Sequence, residues 1–130
     1  MASIFSKIIA GEIPCHKIAE NDHFMAFLDV FPLKKGHVLV VPKKEVDYIF
    51  DLDNDTYLGL MTFAKEVSAA IKKAIPCNRI GVTVIGLEVP HAHVHLIPIN
   101  AESDMNFRNE KLKLSKEEFE EVASKIKAYL

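Results

Sequence analysis

From Val89 to Pro98 the chain reads Val-Pro-His-Ala-His-Val-His-Leu-Ile-Pro, so histidine recurs at 91, 93 and 95 with apolar residues between. Successive side chains of a β-strand point to opposite faces. The spacing therefore predicts a strand over Val89 to Ile99 with His91, His93 and His95 on one face. Ala92, Val94 and Leu96 fill the other face. The imidazoles would stand about 6–7 Å apart and span roughly 13 Å. Imidazole is a poor core filler, and a core gains nothing by repeating it three times on one face. The row is read as a site.

Two chemistries suit such a row. A metal needs ring nitrogens converging at about 2.0–2.1 Å, with further ligands available from His37, Asp29 or Glu88. Neighbouring side chains on one strand face point in parallel, however, and no HExxH or facial carboxylate pattern accompanies them. Alternatively, a neutral imidazole is a nucleophile near neutral pH and forms a phosphorus–nitrogen bond that water then cleaves. That chemistry needs the central ring held through its other nitrogen, and donors for the phosphoryl oxygens. His93 flanked by His91 and His95, with His37 nearby, supplies those parts, and the nucleophile reading explains more of the pattern.

Composition narrows the ligand. A net charge of −2, with no run of Lys or Arg, argues against a nucleic-acid scaffold, so a bound nucleotide is expected to be a small molecule. Apolar residues at 49% and charged residues at 26% are those of an ordinary globular chain, and 130 residues suffice for one domain, 1–130. The first ten residues are too short and mixed for a signal peptide or membrane span, and no membrane association is expected. Cys15 and Cys77 have no paired spacing and are read as reduced thiols in a cytoplasmic protein.

Along the chain, Ile4, Phe5, Ile8 and Ile9 predict a short helix closed by Gly11 and Pro14. Strands are predicted at Cys15 to Ala19, Phe24 to Asp29, His37 to Val41 and Ile80 to Ile85, besides the histidine strand. Asp53 or Asn54 caps a helix reaching Ala74, and Ser115 with Glu118 forms a capping box for a C-terminal helix. Short turns between most strands make this an α+β domain: an antiparallel sheet of about five strands with two main helices.

His-x-His-x-His followed by apolar residues resembles the signature of the histidine-triad (HIT) nucleotide-binding proteins. Ile4 to Pro14, Ala26 to Pro32 and Gly36 to Lys43 resemble the family's N-terminal segment and two central strands, in the same order. The similarity is to the Hint-like phosphoramidases rather than the diadenosine-polyphosphate hydrolases. It implies a HIT-like fold in a homodimer whose sheets join into one. It implies no cofactor, and a ligand that is a purine nucleoside monophosphate or its phosphoramidate or anhydride. By the same resemblance His93 is the nucleophile, the carbonyl of His91 orients it, His95 contacts the phosphate, and His37 completes the cluster behind. Asp29 would accept hydrogen bonds from ribose hydroxyls, and Phe5, Ile8, Phe27, Leu28 and Val30 would wall the base. The backbone at Glu88 and Val89 would face the phosphate.

The chain departs from the family pattern in two places. Leu87 stands where Gln is common, and Glu88 where a small hydroxyl residue contacts phosphate in the Hint branch. A carboxylate there costs anion affinity unless it points away. Many bacterial relatives hold a structural zinc through two cysteines and a histidine at positions that here resemble Ser3, Ser6 and Glu45. Hydroxyls replace thiolates poorly, so no metal is expected. Residues 100–113, with Met105 and Phe107, are the expected specificity element.

Overall fold

Three side chains start the three helices. In the computed structural model, which describes residues 2–130, Ser3, Asp53 and Ser115 each accept the backbone N–H three residues ahead. They open α1 (Ile4–Ile9), α2 (Asn54–Ala74) and α3 (Lys116–Lys127). Glu118 returns the bond to Ser115, completing the capping box that Ser-x-x-Glu predicts. Between them lie β1 (Lys17–Glu20), β2 (Phe24–Leu28), β3 (Val38–Pro42), β4 (Arg79–Thr83) and β5 (Val94–Ile99). Short 3-10 turns occupy Ile49–Asp51 and Glu102–Met105.

The strands form one antiparallel sheet in the order β1-β2-β3-β5-β4, the α+β architecture expected from the sequence. β2 and β3 are buried on both faces, which is why they read as continuous apolar runs. Their alternation sorts the molecule into two layers. Phe24, Ala26, Leu28, Val38, Val40, Val94 and Leu96 point to one side and pack under α2 and α3. Met25, Phe27, Leu39 and Val41 point to the other and are covered by Phe5 of α1. That second face is only partly covered, and Phe27, Leu39 and His95 lie side by side across it through the registers Phe27↔Leu39 and Leu39↔His95.

The histidine strand is shorter than predicted. β5 begins at Val94, not Val89, and His91 and His93 lie in the extended segment before it. Pro90 has no N–H to give a ladder. The next two amides go elsewhere: His91 N–H closes a tight turn on Val89 O at 2.8 Å, and Ala92 N–H donates to Val46 O at 2.7 Å. β4 likewise ends at Thr83, and Gly86 turns with a φ of 72°.

Candidate active site

The uncovered face of the sheet carries a cleft of about 620 Å³, of a size that takes a small organic ligand. Its walls bring together Phe5 and Ile8 from α1, Phe27, Leu28, Asp29 and Val30 from the end of β2, Glu88 and Val89 from the turn after β4, and His93 with His95. Leu28 borders the cleft while its side chain belongs to the helix-side core, and Val30, 53% exposed, stands at the rim. His37 and His91 do not line it; both are fully buried behind it.

A single row of three imidazoles facing the ligand is therefore corrected. Only His93 and His95 face the cleft, with ring centroids 4.9 Å apart instead of the 6–7 Å of a regular strand. His91 turns its ring away, because its segment has left the strand. Its Nε2 lies 2.8 Å from Pro42 O and its Nδ1 2.8 Å from Ser3 Oγ.

The hydrogen bonds fix which nitrogen carries each proton. Leu33 N–H donates to His37 Nδ1 at 3.0 Å, so that nitrogen is an acceptor and the ring proton sits on Nε2. His37 Nε2–H then donates to His95 Nδ1 at 3.0 Å, which puts the His95 proton on Nε2, its remaining polar atom. His93 behaves oppositely: Nδ1–H donates to the carbonyl of His91 at 2.7 Å, leaving the Nε2 lone pair unshared. The pair thus offers the cleft one N–H donor, from His95, and one nitrogen lone pair, from His93. Burial, reinforced by Lys111 and His93, holds His37 down at about 4. Burial and the neighbouring His37 hold His95 down at about 3, so both rings are neutral near pH 7.

Asp29, Oδ1 of which accepts Phe31 N–H at 2.9 Å, places Oδ2 3.6 Å from His37 Nε2. Ligand atoms of Asp29, His37 and His95 lie within 4.8 Å of one another, close enough to be considered as a metal set. The donors do not fit one. A metal on His37 Nε2 would require a proton on Nδ1, and Leu33 N–H already points there.

The loop 106–113 closes one end of the cleft. Phe107 sets its ring edge-on to His95 at 4.9 Å, and Lys111 Nζ donates to the carbonyls of Phe107 and Asn109. Lys111 is the one Lys or Arg among the described residues of the cleft wall. Sequence reasoning singled out Phe107 but missed Lys111, since a lone lysine in a polar loop carries no signal. Opposite, Glu88 is exposed at the mouth, and among the described residues the N–H groups of Glu88 and Val89 donate to nothing in the protein.

Behind His91, Ser3, Ser6 and Glu45 converge. Two hydroxyls, a carboxylate taken up by Ser3 N–H and Ser6 Oγ–H, and an imidazole whose Nδ1 lone pair is taken up by Ser3 lack the thiolates of a structural zinc site.

The family model described as HIT domain matches residues 10–102. The adenosine 5'-monophosphoramidase of Schizosaccharomyces pombe is 35% identical over 98% of this chain and 100% of its own. An uncharacterized HIT-like protein of Borreliella burgdorferi is 34% identical over 95% of this chain and 94% of its own. Among solved structures, a HIT-like protein from Bartonella henselae superposes with a TM-score of 0.86 at 33% identity, covering 98% of this chain and 96% of the other.

Proposed function

The chain belongs to the HIT family, and from that premise we propose that it is a nucleotidyl hydrolase acting on purine nucleoside 5'-phosphoramidates or related anhydrides. The observation that carries the reading is the His93 Nδ1–H bond to the His91 carbonyl at 2.7 Å. It orients the ring and leaves Nε2 as the one bare imidazole nitrogen beside the cleft. That nitrogen attacks the α-phosphorus as the bond to the leaving group breaks, an amine taking up a proton from solvent as it departs, and a nucleotidyl-His93 forms. Water then attacks the phosphorus and gives up a proton to solvent, the phosphorus–nitrogen bond to His93 breaks, and the nucleoside monophosphate departs.

The other residues support those two displacements. His95 Nε2–H, its direction fixed through His37 by Leu33, donates to a phosphoryl oxygen on which charge builds. The unpaired amides of Glu88 and Val89 serve the other oxygens. Phe5, Ile8 and Phe27 offer apolar surface to the base, and Asp29 offers carboxylate oxygen to the ribose hydroxyls. His37 and His95 take part as neutral rings, which burial keeps so near pH 7.

The test is turnover of a fluorogenic adenosine phosphoramidate by wild type and His93→Ala, both in chelator. The variant is expected to lose at least about a hundredfold. Equal rates would remove His93 from the chemistry, and loss of wild-type activity on chelation would favour a metal-dependent route. A second reading, nucleotide binding with little catalysis, is favoured by Glu88 at the cleft mouth, and predicts AMP binding without turnover.

The same proposal includes a homodimer. β4 is an edge strand with Val82 exposed, and Val84, Ile85, Leu87, Tyr48 and Phe50 leave further apolar surface beside it. Sedimentation should give twice the chain mass; a monomer at micromolar concentration would remove the joined sheet.

A further inference from the structure

The bonds behind His91 form a chain that reaches the nucleophile. Glu45 Oε1 accepts Ser3 N–H at 2.5 Å and Ser6 Oγ–H at 2.7 Å. Both bonds hold its carboxyl well down, at about 2. Ser6 Oγ–H is committed to Glu45 and Ser6 N–H donates to Ser3 Oγ at 3.0 Å; of the acceptors within reach of the Ser3 hydroxyl, His91 Nδ1 at 2.8 Å is nearer than Ser6 Oγ at 3.4 Å and takes the proton. That nitrogen must accept, because Nε2 of the same ring faces the carbonyl of Pro42, which can only accept. The His91 ring is thereby fixed from both sides, and its backbone carbonyl is the group that holds His93.

We propose that Glu45, Ser3 and Ser6 are positioning residues for the reaction: a metal-free clamp that sets the His91 carbonyl and, through it, the proton and direction of His93. This rests on His93 being the nucleophile. The clamp also ties the first turn of α1 to the loop after β3. Phe5, between Ser3 and Ser6 in that turn, meets the rings of His91 and His93 edge-on at 5.8 and 4.9 Å. One network therefore aligns the attacking ring with the wall beside it.

A helix cap alone would predict something different. Losing the Ser3 cap would weaken α1 and its apolar wall, and so raise KM. A clamp acts on the chemical step and lowers kcat. The experiment uses Ser3→Ala, Ser3→Thr, Glu45→Ala and Glu45→Gln in the full chain, with a phosphoramidate substrate and with histidine ¹⁵N spectra of the resting protein. In wild type the spectra should show His93 protonated on Nδ1 and His91 on Nε2. Ser3→Ala and Glu45→Ala should lower kcat by about tenfold or more with little change in KM. In both, the His93 signals should become a mixture of tautomers. Ser3→Thr and Glu45→Gln, which keep the donor and the acceptor, should restore kcat and the single tautomer. Because Glu45 is exposed, its replacement leaves the core intact.

A wild-type His93 tautomer preserved in Ser3→Ala and Glu45→Ala, or a loss confined to KM, would overturn the clamp. If instead wild type and His93→Ala turn over equally, the nucleophile assignment fails, while the spectra still report whether the clamp holds the ring.

Discussion

Mild acid should destabilise this protein through its buried histidines, before any carboxylate takes part. His37 and His95 have an ordinary value near 6.5 when unfolded and are held at about 4 and about 3 in the fold. Both values are depressed, so the unfolded chain binds the protons and the folded one does not. Stability is therefore full above about pH 6.5 and falls as pH drops toward the folded values. At about pH 5 each ring has crossed roughly 1.5 units of that window, at about 1.4 kcal/mol per unit, or about 2 kcal/mol each. The sum, about 4 kcal/mol, needs only that both folded values lie below 5. Burial depresses His91 too, which adds in the same direction. The acids act lower: Glu45, held at about 2, loses its contribution only as pH falls below the ordinary carboxylate value. Urea unfolding at about pH 7 and pH 5 measures the difference. His37→Gln isolates one ring, because a glutamine can accept from Leu33 N–H and donate to His95 without titrating. The drop should then shrink by about 2 kcal/mol. A wild-type loss under about 1 kcal/mol, or an unchanged loss in His37→Gln, would refute the neutral tautomer chain.

Asp29→Asn should raise KM for ribonucleoside substrates by about tenfold or more, because a charged acceptor becomes a neutral amide, and should leave a 2',3'-dideoxy substrate nearly unaffected. Equal effects on both would mean that Asp29 does not meet the ribose. Gly36→Ala should cost about 2–3 kcal/mol in thermal or denaturant unfolding. Its φ is 90°, and a Cβ there would come within 2.9 Å of Ile75 Cγ1. An unperturbed midpoint would mean that the turn before His37 relaxes without strain.

The fold was legible wherever local chemistry decides it. Ser3, Asp53 and Ser115 act as caps whatever surrounds them, and the apolar runs of β2 and β3 are what a strand buried on both faces requires. The alternation of His93, Val94, His95 and Leu96 also read correctly, since both histidines reach the cleft while Val94 and Leu96 enter the core. His91 was misjudged because a period of two is blind to hydrogen bonding. Pro90 and the Ala92 bond to Val46 take the segment off the ladder and turn that ring toward Ser3. Proton placement was illegible for a related reason: it is anchored by Leu33 N–H, an amide whose direction comes from the turn before His37. Ser3, Ser6 and Glu45 could be named from the resemblance as positions lacking zinc ligands. That they form a connected network is a fact of three dimensions. Lys111 reaches the cleft only because its loop folds back, as Leu112 N–H bonds Pro32 O.

The covalent step is the claim on which the functional reading stands. Rapid acid-free quenching of wild type with excess adenosine phosphoramidate, followed by intact-mass and peptide mass spectrometry, observes it directly. One adenylyl group per chain is expected at early times, located on His93 and absent from His93→Ala. A burst of amine release without any such adduct, or an adduct mapped to another residue, would contradict it.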